Sequence, residues 1–255
     1  MSNVVIDVNK CTGCGLCTKD CVGFAIAVKD GKAVVNESTC IKCGHCEAVC
    51  PNHAATLTGY EDSVEDFAEQ TRLNPEELIM AIKTRRTIRQ FKSEEVTQNI
   101  IEMIIESGRL APTGTNAQGT GYIVLQQKKN ECEAAAVKMF SKVLGLGKIF
   151  LPMLKSMNID ENFFFKKAPL VIVVTGSDKV SASLAAENMA FMAEANGLGV
   201  LFSGFFTTCF NLSGKIKKLI GVNKKTKAVT TMVIGYPAVK YHRTAHRNPA
   251  NIIKA

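Results

Sequence analysis

Two copies of one cysteine pattern lie near the start of the chain, and they hold eight of its ten cysteines. In each copy, three cysteines are separated by two residues and a fourth follows after three more. Thiolates at these intervals can hold three corners of a cubane 4Fe–4S cluster from one tight loop, while the fourth cysteine ligates the other cluster. The pattern therefore predicts two 4Fe–4S clusters. The first cluster takes Cys11, Cys14, Cys17 and Cys50, and the second takes Cys21, Cys40, Cys43 and Cys46.

Zinc ligation and disulfide bonds are the two alternatives for these cysteines. A structural zinc site uses four ligands in two pairs, whereas each run here places three cysteines close together before a fourth. The opening residues lack the basic region and apolar stretch of a secretory signal, and no apolar run is long enough to span a membrane. We therefore expect a cytoplasmic, reducing location, in which disulfides are disfavoured.

Residues 1–60 resemble bacterial two-cluster ferredoxins, in which a proline commonly follows the last cysteine of each run. Pro51 follows Cys50 as in that family, but Val22 follows Cys21. The repeat also predicts a pseudo-twofold unit, in which VVIDVNKC and AVVNESTC form matching short strands that enter the two cluster loops. A unit of this kind only carries electrons, so any catalytic site is expected after a linker over residues 61–73.

Residues 74–255 form the second predicted domain. One helix begins at Asn74, a good N-cap followed by proline, and another begins near residues 93–95 and ends around Gly108. Apolar, β-branched runs predict strands, and helical segments lie between them. The strands are expected over residues 121–126, 169–176 and 228–237, and the helices over 130–143, 181–196 and 211–219. The helix over 181–196 is apolar on most sides, which indicates a buried central helix. The pattern predicts an α+β fold with a mixed sheet flanked by helices.

Three segments of this domain are candidates for a ligand site. TRRTIRQF at 84–91 offers guanidinium forks that suit a phosphate, and RLAPTGTNAQGTGYIVL at 109–125 offers side-chain amides in a loop. GLGVLFSGFF at 197–206 leaves backbone amides accessible beside aromatic rings. Taken singly, the first two segments are better explained as an exposed basic turn and an ordinary helix–strand connection, and core packing is the alternative for the third.

Together, and in this order, the three segments resemble the nitroreductase family of FMN enzymes, over residues 74–252. The resemblance implies a mainly antiparallel sheet, a homodimer with FMN at the subunit interface, and no catalytic acid or base from the protein. It also implies the FMN-binding residues. The residues that bind the phosphate are Arg85, Arg86, Thr87, Arg89 and Arg247, with Arg243 as the second choice for the last. Asn116 and Gln118 bind the ribityl chain or the ring, and the backbone of Ser203 and Gly204 lies near flavin N5. Gly119-Thr120 replaces the Pro-Trp pair common in the family.

The two resemblances together predict an oxidoreductase that passes electrons from the clusters to FMN and on to a small electrophilic acceptor. The acceptor is a nitroaromatic, a quinone or an activated alkene, and the donor is a reduced ferredoxin or NAD(P)H. The alternative is a non-catalytic electron-transfer or redox-sensing protein. Nucleic-acid binding is not expected, because two thiolate-held clusters and a flavin phosphate would together carry roughly −6 and offset most of the formal net charge of +8.

Several other reactive or aromatic residues are predicted to be structural. Cys132 and Cys209 lie outside the cysteine runs, and we expect them to be buried thiols. His45 and His53 are expected to be solvated. The phenylalanines at 163–165 are expected to pack in the core, and the alternative is that they edge the flavin pocket.

Overall fold

The computed structural model describes residues 3–62, 64–66, 73–147 and 158–254. The chain divides into two compact units. Unit 1 comprises Met1–Arg72 and Gly114–Ala117, and unit 2 comprises Leu73–Thr113 and Gln118–Ala255. Much of the predicted linker over 61–73 lies outside the described residues. None of the helices in the described part of the chain is long and apolar enough to cross a membrane.

Unit 1 repeats one small arrangement twice. Its elements are β1 (Val4–Ile6), α1 (Leu16–Lys19), β2 (Ile26–Lys29), β3 (Lys32–Val35), α2 (His45–Ala48) and β4 (Ala55–Leu57). β1 pairs with β4 and β2 pairs with β3, both antiparallel. The single-turn helices α1 and α2 are capped by Gly15 and Gly44, whose φ angles of 76° and 75° favour glycine. β1 and β3 are the matching strands predicted from the repeat.

Unit 2 alternates helices and strands around one sheet. Its elements are α3 (Pro75–Thr84), α4 (Gln98–Arg109), β5 (Gly121–Leu125), α5 (Lys129–Gly147), β6 (Leu170–Thr175), α6 (Lys179–Ala195), β7 (Gly199–Phe202), α7 (Gly204–Leu212), α8 (Gly214–Leu219) and β8 (Ala228–Gly235). The predicted N-cap is confirmed, because the Asn74 side chain accepts hydrogen bonds from the backbone N–H groups of Glu76 and Glu77.

The sheet of unit 2 has the strand order β5-β6-β8-β7, and every neighbouring pair is antiparallel. An isolated parallel bridge from Thr87 to Val200 makes the pairing mixed. Every residue of β6 is buried, and its side chains alternate between two apolar clusters. Ile172 packs in the cluster that includes α4 and α6, whereas Val173 packs in the cluster that includes α5, α7 and α8. The helix predicted to be buried is α6, which contacts α4, β6, β7 and β8.

Two predicted helix boundaries are wrong. The second helix begins at Gln98 rather than near residues 93–95, because the N-cap Thr97 has extended backbone and the Val96 side chain before it packs in the core. The helix predicted over 211–219 is two helices, α7 and α8. The break occurs at Ser213, whose side-chain oxygen accepts a hydrogen bond from the N–H of Ile216 and so caps α8.

Candidate functional site

One cavity of unit 1 is lined by four cysteines that are not all neighbours in the sequence. Three belong to the first cysteine run, and the fourth, Cys50, is the last residue of the second run. Their companions are Cys11, Cys14 and Cys17. This is the grouping that the spacing predicts for the first cluster, and the ligand assignment itself remains a prediction.

Backbone amides point at the cysteine sulfurs in both halves of unit 1. The N–H of Ala25 lies 3.2 Å from Cys21 Sγ, and the N–H of Ala54 lies 3.3 Å from Cys50 Sγ. Both contacts span four residues, in agreement with the pseudo-twofold repeat. Amide donors to sulfur stabilise negative charge on a thiolate-ligated cluster and help set its reduction potential.

The cysteines of the second predicted cluster include one buried thiol. Burial raises the pKa of Cys46 to about 11, so this thiol is protonated at neutral pH when no metal is bound. A coordinating metal deprotonates a thiol outright. The free Cys46 thiol is therefore a poor nucleophile, while four cysteine thiolates are the donor set that a 4Fe–4S cluster requires.

In unit 2, four arginines line a cavity of about 430 Å³, a size suited to a small molecule. None of the described residues that line it is acidic. The full lining is Ile82, Arg85, Arg86, Thr87, Arg89, Val200, Phe202 and Arg247. Four guanidinium groups around one space have the charge and the hydrogen-bond donors that suit a phosphate dianion. Arg247, rather than Arg243, is the tail arginine that lines the cavity.

The backbone brings two of the three candidate segments together here. The N–H of Ile88 donates to the Val200 carbonyl oxygen at 3.1 Å, so the arginine-bearing segment runs along β7. Gly199 permits this approach, because a Cβ atom at that position would collide with the Ile88 side chain. The segments around 85–91 and 197–206 therefore contribute to one cavity, as the sequence predicts.

Side chains of α6 contact the Arg85 guanidinium group. Its Nη2 atom lies 3.0 Å from Glu187 Oε1, and its guanidinium carbon lies 5.6 Å from the centre of the Phe191 ring. Burial raises the pKa of Glu194 to about 7; Arg85 partly opposes this shift and Glu187 adds to it. The sequence analysis missed these three residues. Their spacing of four and three residues, which places them on one helix face, was the available signal.

A second cavity of unit 2, of about 500 Å³, shares Arg89 and Phe202 with the arginine cavity. Ser203 and Gly204 line it, where β7 ends and α7 begins. The N–H of Ser203 donates to the Thr231 carbonyl oxygen at 2.8 Å, so this amide is already used in the fold. Gly204 opens α7, and the first N–H groups of a helix have no intrahelical acceptor. Gly204 is therefore the better backbone donor of the predicted pair.

The third candidate segment follows a different course. The structure groups Gly114–Ala117 with unit 1, where Asn116 Nδ2 donates to the carbonyl oxygens of Lys42 at 2.8 Å and Ile41 at 3.3 Å. The Gln118 side chain is exposed, and its N–H donates to Thr113 Oγ1 at 3.0 Å. Neither amide side chain lines the arginine cavity, so their predicted contacts with FMN remain predictions.

The residues expected to be structural are mostly buried. Burial raises the pKa of both Cys132 and Cys209 to about 11, which makes them poor nucleophiles. Phe165 is fully buried in the core. Phe163 and Phe164 also line the second cavity, which is the alternative given for them.

Comparison with known proteins agrees with both domains. Residues 82–236 match the model of the nitroreductase family, and residues 3–51 match that of the 4Fe–4S dicluster domain. Iodotyrosine deiodinase of Hydra vulgaris is 23% identical over 203 residues, which cover 68% of this chain and 73% of that protein.

Two solved structures show the same fold as the larger domain. A nitroreductase with bound FMN from Bacteroides fragilis superposes with a TM-score of 0.56 at 18% identity, and covers 70% of this chain and 99% of its own. A BluB-like flavoprotein from Clostridium difficile 630 gives a TM-score of 0.57 at 18% identity, with 69% and 99% covered. Because the nitroreductase model spans more than half of the chain, this protein is an oxidoreductase of the nitroreductase family with an N-terminal 4Fe–4S dicluster domain.

Proposed function

We propose that this oxidoreductase binds FMN and two 4Fe–4S clusters, and passes electrons from the clusters through FMN to a small electrophilic acceptor. The acceptor class is a nitroaromatic, a quinone or an activated alkene. The observation that carries the proposal is the arginine cavity of unit 2, which adjoins a second cavity with aromatic walls. A ligand with a phosphate at one end and a planar ring at the other matches this pair of environments.

The residues of unit 2 bind and orient the cofactor in this proposal. Arg85, Arg86, Arg89 and Arg247 neutralise the phosphate, and Thr87 adds a hydroxyl. The Gly204 amide and the Ser203 hydroxyl face the ring. Gln118 serves the ribityl chain or the ring, and protons come from water. Bound FMN supplies the two-electron chemistry, and clusters held by the eight cysteines supply single electrons.

We also propose a homodimer, on the basis of α3. This helix has an apolar face that nothing else in the described part of unit 2 buries. Leu78, Ile79 and Ile82 are 38%, 46% and 48% exposed, and Ile82 lines the arginine cavity. A second copy of the chain on this face would bury these side chains next to the cofactor. Sedimentation equilibrium of the holo protein tests this, and a monomer at micromolar concentration contradicts it.

An anaerobic stopped-flow experiment on the purified holo protein tests the electron route. Cluster and flavin absorbance are followed separately, first with reduced ferredoxin and then with NADPH as the donor. The reduced protein is next mixed with a quinone or a nitroaromatic compound. We expect the clusters to be reduced before FMN, and the flavin to be reoxidised at a rate that depends on acceptor concentration.

Two outcomes contradict the proposal in different ways. If NADPH reduces FMN while the clusters remain oxidised, the ferredoxin domain is not the inlet for electrons. If no acceptor reoxidises the flavin at a useful rate, the proposed reductase activity is wrong, and the non-catalytic electron-transfer or redox-sensing function is supported instead.

A further inference from the structure

The second cavity of unit 2 has aromatic walls and a polar floor. Phe163 and Phe205 form part of the wall, with their ring centres 6.1 Å apart. Phe205 is 50% exposed, so its ring is available to a ligand. The floor is formed where Ser203 and Gly204 begin α7. Exposed aromatic faces around a space of about 500 Å³ suit a planar aromatic molecule.

The charge of this cavity is one-sided. Of the described residues that line it, Arg89 and Lys166 are basic and none is acidic. Neither of these cations takes part in an ion pair among the described residues. Ser203 is 7% exposed, and within the described part of the chain its hydroxyl makes no hydrogen bond to cap α7. Arg89 is assigned to the FMN phosphate in the proposed function, so Lys166 is the basic residue of this lining that remains for an anionic group of another ligand.

Lys166 is held at the cavity by its own turn. Glu133 on α5 accepts hydrogen bonds from the N–H groups of Phe164 and Phe165 at 3.0 and 2.7 Å. Lys129, one turn earlier on α5, donates to the carbonyl oxygen of Ala168 at 2.6 Å. These contacts bracket the turn on both sides of Lys166. The turn is therefore fixed to the helix layer rather than free to move the lysine away.

The conformation of the turn separates two adjacent lysines. Lys166 and Lys167 both have positive φ angles, of 51° and 62°. Lys166 is partly buried, lines the cavity and places its Nζ 4.7 Å from the centre of the Phe163 ring. Lys167 is exposed and does not line the cavity. The chain thus provides a matched control beside the residue of interest.

We propose that the second cavity binds an aromatic acceptor that carries a carboxylate or phenolate group, and that Lys166 determines this specificity. The ring of the acceptor lies beside the flavin ring, on the side of the cavity that Phe163 and Phe205 line, and its anion lies at Lys166. This inference rests on the proposed function, because reduced FMN is the reductant. For a nitroaromatic acid, two electrons and two protons convert the nitro group to a nitroso group and water, while FMN returns to its oxidised form.

The test compares 4-nitrobenzoate with 4-nitrobenzamide, which have nearly the same shape but differ in charge. The holo wild type, Lys166→Gln and Lys167→Gln are each assayed with both compounds under the same reducing conditions. Loss of a charge-assisted contact should raise KM for 4-nitrobenzoate about tenfold in Lys166→Gln. KM for the amide should change by less than about twofold, and Lys167→Gln should leave both values unchanged.

Binding without turnover gives a second measurement. Calorimetric titration of the oxidised holo protein with 4-nitrobenzoate should show the same weakening of about tenfold in Lys166→Gln alone. Equal effects of Lys166→Gln on both compounds would overturn the inference. So would an altered flavin midpoint potential together with unchanged charge selectivity, because Lys166 would then act on the cofactor. These results would leave the proposed function intact, whereas a wild type that binds no FMN would remove both.

Discussion

The cysteine site of unit 1 and the arginine site of unit 2 are encoded in different ways. Three of the cysteines around the first cavity lie within seven residues, and the repeat itself supplies the fourth. The arginine cavity instead draws on α3, the segment that follows it, β7 and the tail at Arg247. The first site is a property of local spacing, whereas the second exists only once the sheet has formed. Substitution of one cysteine should therefore remove a whole cluster, whereas substitution of one arginine should only lower the affinity for FMN.

The largest expected effect is the loss of a whole cluster. Cys50→Ser removes a thiolate from the group formed with Cys11, Cys14 and Cys17. Iron content should then fall from about eight to about four atoms per chain, because each cluster holds four irons. Iron and sulfide assays on anaerobically purified protein measure this change directly.

A separate experiment tests whether the fourth cysteine of each run ligates the cluster of the other run. Cys50→Ser and Cys14→Ser should leave the same electron paramagnetic resonance signal in the reduced protein, and Cys43→Ser should leave the other one. Cys209→Ala, in unit 2, should keep full iron content. If Cys50→Ser matched Cys43→Ser instead, each run would hold its own cluster, and the crossed assignment would be wrong.

Local signals explain what the sequence could predict. The Asn74 cap, the strands around residues 121–126, 169–176 and 228–237, and the grouping of Cys50 with the first run all follow from short patterns. The failures lie where tertiary contacts decide. α4 begins only after Val96 because that side chain packs in the core, and Ser213 divides a continuous helical pattern because its side chain caps a new helix.

The site of unit 2 shows the same limit. Arginines in TRRTIRQF predict a phosphate site, but no pattern in that segment shows that Glu187 and Phe191 hold Arg85. Asn116 is a clearer case, because its side chain donates to the carbonyl oxygens of Ile41 and Lys42, which lie 75 and 74 residues earlier in the chain. Partners so distant in sequence are fixed by the fold, and one sequence without its structure does not identify them.

The second prediction weakens the arginine site without removing it. Arg86 lines the cavity, and its guanidinium carbon lies 5.3 Å from the centre of the Tyr241 ring. Arg86→Ala should cost about 1.5–3 kcal/mol of phosphate binding, and so raise the Kd for FMN roughly 10- to 100-fold. The fluorescence of free FMN on dilution measures this Kd.

The matched control for Arg86 is Lys83→Ala, in the last turn of α3. Lys83 is exposed and does not line the cavity. It should leave the Kd for FMN within about twofold, since general attraction between exposed charges is screened by salt. If both variants weakened FMN binding equally, the effect would reflect net charge, and the cavity would not be the phosphate site.

The smallest expected effect concerns the carboxylate of Glu194, on the same helix face as the residues that contact Arg85. Burial raises the pKa of Glu194 to about 7 from 4.5, so the folded state binds this proton more tightly than the unfolded state does. Folded stability is then lost progressively as pH rises between these two values, and the loss is constant above them. Glu194→Gln should therefore gain stability over the wild type as pH rises, by on the order of 1 kcal/mol, or about 2–4 °C in Tm, at pH 8.

Thermal unfolding at several pH values from 4.5 to 8 measures this difference, with the exposed Glu102→Gln on α4 as the control. A difference that stays the same at every pH would show that the Glu194 carboxylate is solvated in the folded protein, and that α6 supports Arg85 through Glu187 and Phe191 alone.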